Sequence, residues 1–229
     1  MSVLKSPGAK AMLAFVIVMA ALIFALWPRG HGDSATSGPD PASLTGGVTD
    51  EAVSAGMLNQ ARTDAALAPC PQSGAPVPGD AALKGVSGIC LADGKPIDLG
   101  QATAGRPTVI NLWAVWCLPC RRELPLFDEL YRRAGDRLDV LAVHSRDGGD
   151  KPYAILSFLK ELGVHLPTVA DPRGDIAGAL RAPRVYPSTV LIRADGTVAA
   201  VLPRVFGSYD DLAAVVRTDL GVDVSGGGS

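Results

Sequence analysis

The chain has 229 residues, 48% of them apolar, and a formal net charge of −2. That length accommodates one ordinary domain with extras, and the apolar share supports a real core. The near-neutral balance, with no basic run, excludes a surface built to track nucleic-acid phosphates.

The N-terminus reads first as a membrane element. Residues 11–27 are almost wholly apolar, preceded by Lys5 and Lys10 and followed by Trp27-Pro28-Arg29. With its flanks the stretch reaches the ~20 residues that span a bilayer. A cleaved signal peptide would have a shorter apolar region and a small-x-small site. No Ala-x-Ala follows Leu22, and no lipobox cysteine is present. The segment has no polar face, which argues against a buried soluble helix. The expectation is one uncleaved transmembrane signal anchor over 11–28. Residues 1–10 would be cytoplasmic, and the rest would lie outside the cell membrane.

Residues 29–68 read as a flexible tether, rich at first in Gly, Ser, Pro, Asp and Thr. A short helix is expected within 50–67, with Val53, Met57, Leu58 and Ala61 on one face. A domain is expected over 69–222, then a disordered Gly-rich tail over 223–229. Within the domain, 69–79 is irregular and 86–99 reads as a hairpin around Asp93-Gly94-Lys95. From there the pattern is α/β. Strands are expected at 108–115, 138–144, 168–170, 188–193 and 197–203. Helices are expected at 119–134, 153–162, 175–181 and 208–220. The first helix carries Leu124, Phe127, Leu130 and Tyr131 at helical spacing. The second carries Ile155, Phe158, Leu159 and Leu162. Such units fit a mixed sheet with helices on both faces.

Four cysteines are present: Cys70, Cys90, Cys117 and Cys120. Cys117-Leu118-Pro119-Cys120 follows a strand and opens a helix. Two thiols at this spacing open and close a disulfide within one turn. The helix N-terminus favours a thiolate on Cys117, the nucleophile of thiol–disulfide exchange. Cys117 is expected at the exposed edge of the motif, with Cys120 as the resolving thiol one turn inward. A zinc site would need further ligands that the spacing of Cys70 and Cys90 does not offer, so no metal is expected. An even count in an exported chain suggests that Cys70 and Cys90 form a structural disulfide. Two free thiols or a second redox pair are the competing readings.

Trp113-Ala-x-Trp116-Cys117-x-Pro119-Cys120 resembles the thioredoxin-fold active site. Pro125, five after Cys120, matches the proline of that family's first active-site helix. Val185-Tyr186-Pro187-Ser188-Thr189 resembles its cis-proline segment. The closer likeness is to the membrane-anchored TlpA/ResA-like branch, with similarity also to actinobacterial DsbE-type proteins. It rests on the N-terminal anchor, on Asn111 six before Cys117, and on Glu123 within Arg121-Arg122-Glu123. The resemblance implies an α/β thioredoxin fold, a mixed central sheet flanked by helices with an N-terminal β-hairpin extension, behind the transmembrane helix. It implies catalysis by Cys117 and Cys120 and a cis Pro187 beside them. Trp116, Tyr186, Leu118 and Pro119 would meet substrate, and Trp113 would support the core. Glu123 either shuttles the Cys120 proton from a buried position or is a solvated residue paired with Arg122 or another neighbour. His144 is expected to be structural, and Arg184 either faces substrate or is solvated.

The implied activity is a reductase of exported protein disulfides, with apocytochrome c as client and a CcdA-like membrane protein as electron donor. No bound cofactor is required. The alternatives are a disulfide-forming oxidase or isomerase, a thiol peroxidase and a copper metallochaperone.

Overall fold

The computed structural model describes residues 17–20, 22 and 53–226. Residues 17–20 and 22 are helical and exposed. The remainder of the 11–28 anchor, residues 1–10, most of the tether and the last three residues lie outside the described residues. Among the described residues no helix is long and apolar enough to cross a membrane.

The body is built on a seven-stranded mixed sheet. At its centre is β3 (Thr108–Trp113), with all six residues buried. A strand covered on both faces reads as a near-continuous apolar run, here interrupted by Thr108 and Asn111. It pairs in parallel with β4 (Asp139–His144), from Thr108↔Asp139 to Trp113↔His144. On its other side it pairs antiparallel with β6 (Ser188–Ile192), ending at Leu112↔Ser188. The hairpin strands β1 (Ser87–Cys90) and β2 (Pro96–Asp98), with β5 (Thr168–Ala170) and β7 (Val198–Leu202), complete the order β2-β1-β5-β4-β3-β6-β7. The β2 edge is three residues long and begins with proline, which blunts it against further pairing.

Side chains alternate across β3. Val109 and Trp113 enter one apolar layer and Ile110 and Leu112 the other. The first layer is closed by α3 (Leu118–Ala134), α4 (Pro152–Leu162) and α6 (Tyr209–Leu220). The second is closed by Leu99 of the short α2 (Leu99–Ala102) and by Ile176 of α5 (Asp175–Ala179). Ser208 caps α6, its hydroxyl accepting from the Asp211 N–H at 3.3 Å.

Several expectations need correction. α1 (Ala55–Ala65) is part of the packed body rather than a loose element of a tether. It buries Ala61 and Ala65, leaves Met57 exposed, and joins α4 through Asp64–Lys160 at 2.7 Å. In α4 the fully buried residues are Ile155, Leu156 and Leu159, while Phe158 and Leu162 are half-buried at the helix flank. α5 stops at Ala179, and Arg181 takes a left-handed conformation with φ 52°. The body also runs past 222. Val224 is fully buried, and the Tyr209 hydroxyl donates to its carbonyl at 2.6 Å. A disulfide between Cys70 and Cys90, Cα–Cα 6.1 Å, joins the segment after α1 to β1.

Candidate active site

The end of β3 and the start of α3 form the site. The chain leaves the sheet after Trp113, and the Cys117 N–H donates to the Ala114 carbonyl at 3.0 Å, closing a turn. Cys117 is the N-cap of α3, and its Sγ accepts from the Cys120 N–H at 3.2 Å. Helix N-termini carry unpaired N–H groups and a positive dipole end, so this sulfur occupies the position where negative charge is best held. Cys117 and Cys120 are joined as a disulfide.

Cys117 is not at an exposed edge, as the sequence suggests. It is 3% exposed and Cys120 is fully buried. Its sulfur turns inward to meet Cys120 on the first helical turn, and its neighbours take the solvent. Trp116 is 61% and Leu118 76% exposed. Pro119 is half-buried between the cysteines. Trp113 is fully buried, with its ring edge-on to His144 at 4.8 Å and stacked on Phe158 at 5.5 Å.

The β6 segment meets this loop because of register. Ser188 lies opposite Leu112, so Pro187 falls beside the end of β3. Pro187 is buried, the Tyr186–Pro187 bond is cis, and the Tyr186 ring packs edge-on to Trp116 at 5.8 Å. Arg184 is exposed on the same loop.

Glu123 faces inward on α3 and is fully buried. Its Oε2 accepts from Asn111 Nδ2 at 3.1 Å, and its Oε1 accepts from the Phe206 N–H at 2.8 Å. The solvated reading, paired with Arg122, is therefore wrong. Burial pushes the carboxyl up to about 7, against the opposing pull of the Phe206 and Asn111 donors and of the Arg204 charge. Helical spacing carries the signal for this: Cys120, Glu123, Phe127, Leu130 and Ala134 fall on one buried stripe.

His144 touches the loop directly. Its Nε2 accepts from the Val115 N–H at 3.2 Å, and Nδ1 lies 2.9 Å from the Ser145 carbonyl. A neutral ring protonated on Nδ1 satisfies both contacts. Burial lowers its pKa to about 4, which keeps it neutral. Its sequence position at a strand end gives no hint of this bond, since the partner is a backbone group. The same holds for Phe206, whose contribution is its N–H. Cys70 and Cys90 belong to the hairpin side of the sheet. Among the described residues no cluster of three or more His, Cys, Asp or Glu side chains is placed to hold a metal ion.

A family model described as AhpC/TSA matches residues 75–201, more than half of the chain. The chain belongs to the AhpC/TSA family. This family member is 30% identical over 111 residues to the thiol-disulfide oxidoreductase ResA of Bacillus subtilis, covering 48% of the chain and 59% of the relative. It is 38% identical over 101 residues to the thiol:disulfide interchange protein CycY of Rhizobium leguminosarum bv. viciae, covering 42% and 50%. The AhpC/TSA chain thus spans only part of the length of the curated relatives it matches. Among solved structures, a DsbF homologue from Corynebacterium diphtheriae is similar at TM-score 0.51 and 27% identity, over 58% of this chain and 83% of that one. The architecture is the thioredoxin-like α/β fold.

Proposed function

We propose that this chain is a thiol–disulfide oxidoreductase acting as a reductase of exported protein disulfides. The observation that carries the reading is the Cys117–Cys120 disulfide on the N-terminus of α3 with a buried carboxyl, Glu123, one turn further along. In the reduced protein, the Cys117 thiolate attacks one sulfur of a client disulfide. That bond breaks, a mixed disulfide forms, and the second client sulfur leaves as a thiolate and takes a proton. Glu123, as the carboxylate, accepts the Cys120 proton. Cys120 then attacks Cys117 Sγ, and the first client sulfur leaves. Two electrons have passed to the client, and the Cys117–Cys120 bond remains.

Support for the direction comes from Pro119, which withholds one N–H from the thiolate. The client of this reading is apocytochrome c, and the electron donor is a CcdA-like integral membrane protein. The apolar 11–28 segment would hold the domain at the outer face of the cell membrane. A peroxidase reading fails on the residues before Cys117, because position 114 is alanine where a Thr-x-x-Cys motif requires threonine.

The deciding experiment is the reduction potential of Cys117–Cys120 in glutathione and dithiothreitol buffers. A value of about −270 mV supports the reductase, and one of about −120 mV replaces it with a disulfide-forming oxidase. A pair that does not titrate ends the exchange reading altogether.

A further inference from the structure

Trp116 and Tyr186, the two rings flanking the disulfide, are also the wall of a second feature. A cleft of about 210 Å³ opens against them, lined besides by Arg146, Arg173, Arg184 and Asp147. The three arginines come from three different connections: after β4, after β5, and before Pro187. These lie at the ends of the sheet where open α/β folds collect their ligands. All three are exposed.

Their charges are only loosely held. Arg146 Nε is 3.8 Å from Asp147 Oδ1, and Arg173 Nε donates to Asp175 Oδ2 at 2.6 Å. Both pairs are at the surface, where such contacts contribute little and exchange readily. Arg184 has no carboxylate partner among the described residues. The cleft thus gathers three arginines against Asp147 in its lining and Asp175 at its edge, and it reaches the disulfide through Trp116, the residue before Cys117. The guanidinium fork matches carboxylate geometry and is weakly hydrated. Alongside, Trp116, Leu118 and Val185 offer exposed apolar surface.

We infer that the arginine cleft selects clients whose reactive disulfide is flanked by acidic residues. The client segment lays its apolar groups on Trp116 and Leu118 and its carboxylates among Arg146, Arg173 and Arg184, which delivers its sulfur to Cys117. The inference rests on the exchange reading of Cys117 and assigns it a substrate class.

The test uses the full chain, reduced and freed of reductant. Three disulfide-bridged peptides are compared, identical except for flanking aspartate, serine or lysine residues. The acidic peptide is expected to be reduced about tenfold faster than the serine peptide at low ionic strength. The lysine peptide should be slowest, and the spread should close as salt is added. In the Arg146→Ser/Arg173→Ser/Arg184→Ser variant the acidic-to-neutral ratio should fall to about one, and in the single Arg184→Glu variant it should drop below the native ratio. Equal rates for the three peptides, or a ratio unchanged in both variants, would overturn the inference while leaving exchange intact. Failure of the native chain to exchange even with neutral hydroxyethyl disulfide would instead remove the exchange reading and this inference together.

Discussion

Asn111 on β3 and Glu123 on α3 are joined inside the protein, the amide Nδ2 donating to the carboxyl Oε2 at 3.1 Å. The amide's own Oδ1 has no partner among the described residues. A buried carboxyl with so few donors is easier to protonate than one in water, and its value of about 7 lies far above the ordinary 4.5.

That shift has a sign for stability. The folded carboxyl binds its proton more tightly than the unfolded one, so its contribution is fully present below 4.5 and is lost as pH rises through about 7. The loss is at most about 3 kcal/mol. Glu123→Gln is expected to flatten this part of the pH–stability curve in urea titrations at pH 5 and pH 8. It should also slow mixed-disulfide resolution by about a hundredfold and erase the inflection near neutral pH. Retention of the native inflection would remove Glu123 from proton transfer.

His144 acts in the opposite sense. Its folded value of about 4 lies below the ordinary 6.5, so the folded state resists protonation and stability falls as pH drops from 6.5 towards 4. His144→Ala also strands the Val115 N–H that now donates to the ring. The variant is expected to lose about 2–3 kcal/mol at pH 7.5, from the unpaired donor and the vacated space. Its stability should depend less on pH between 6.5 and 4. An unchanged urea midpoint would show that the ring does not hold the loop.

The Cys70–Cys90 bond spans a sequence separation of 20. Closing a loop of that size restricts the unfolded chain by about 3 kcal/mol on the entropy model. The Cys70→Ser/Cys90→Ser variant should melt about 10 °C lower in calorimetry. Its Cys117–Cys120 exchange rate should be native, since the pair belongs to the hairpin side of the sheet. Loss of exchange in a folded variant would make the second disulfide part of the redox chemistry.

Hydropathy periodicity carries most of the architecture. β5 falls on the expected 168–170, and the other strands differ by one or two residues at their ends. Those ends are set by the partner strand: the apolar run of β3 continues to Val115, but pairing with β4 stops at Trp113. The reactive cysteines are legible because their spacing is the chemistry. Their burial is not, because it depends on how Trp116 and Leu118 turn. Asp128 illustrates a further kind of silence. Its Oδ1 accepts from the His165 and Leu166 N–H groups at 2.7 and 2.9 Å, anchoring α3 to the chain entering β5, yet nothing nearby in sequence marks it. Contacts to backbone groups distant along the chain leave no motif.

The near-complete burial of Cys117 behind two exposed apolar neighbours has a consequence for control. In the disulfide form this sulfur is covered, so small thiols are expected to attack it more slowly than an exposed disulfide. Exchange is therefore expected to favour partners that dock on this surface over the ambient redox buffer, a preference that competition between glutathione and a protein disulfide would read directly.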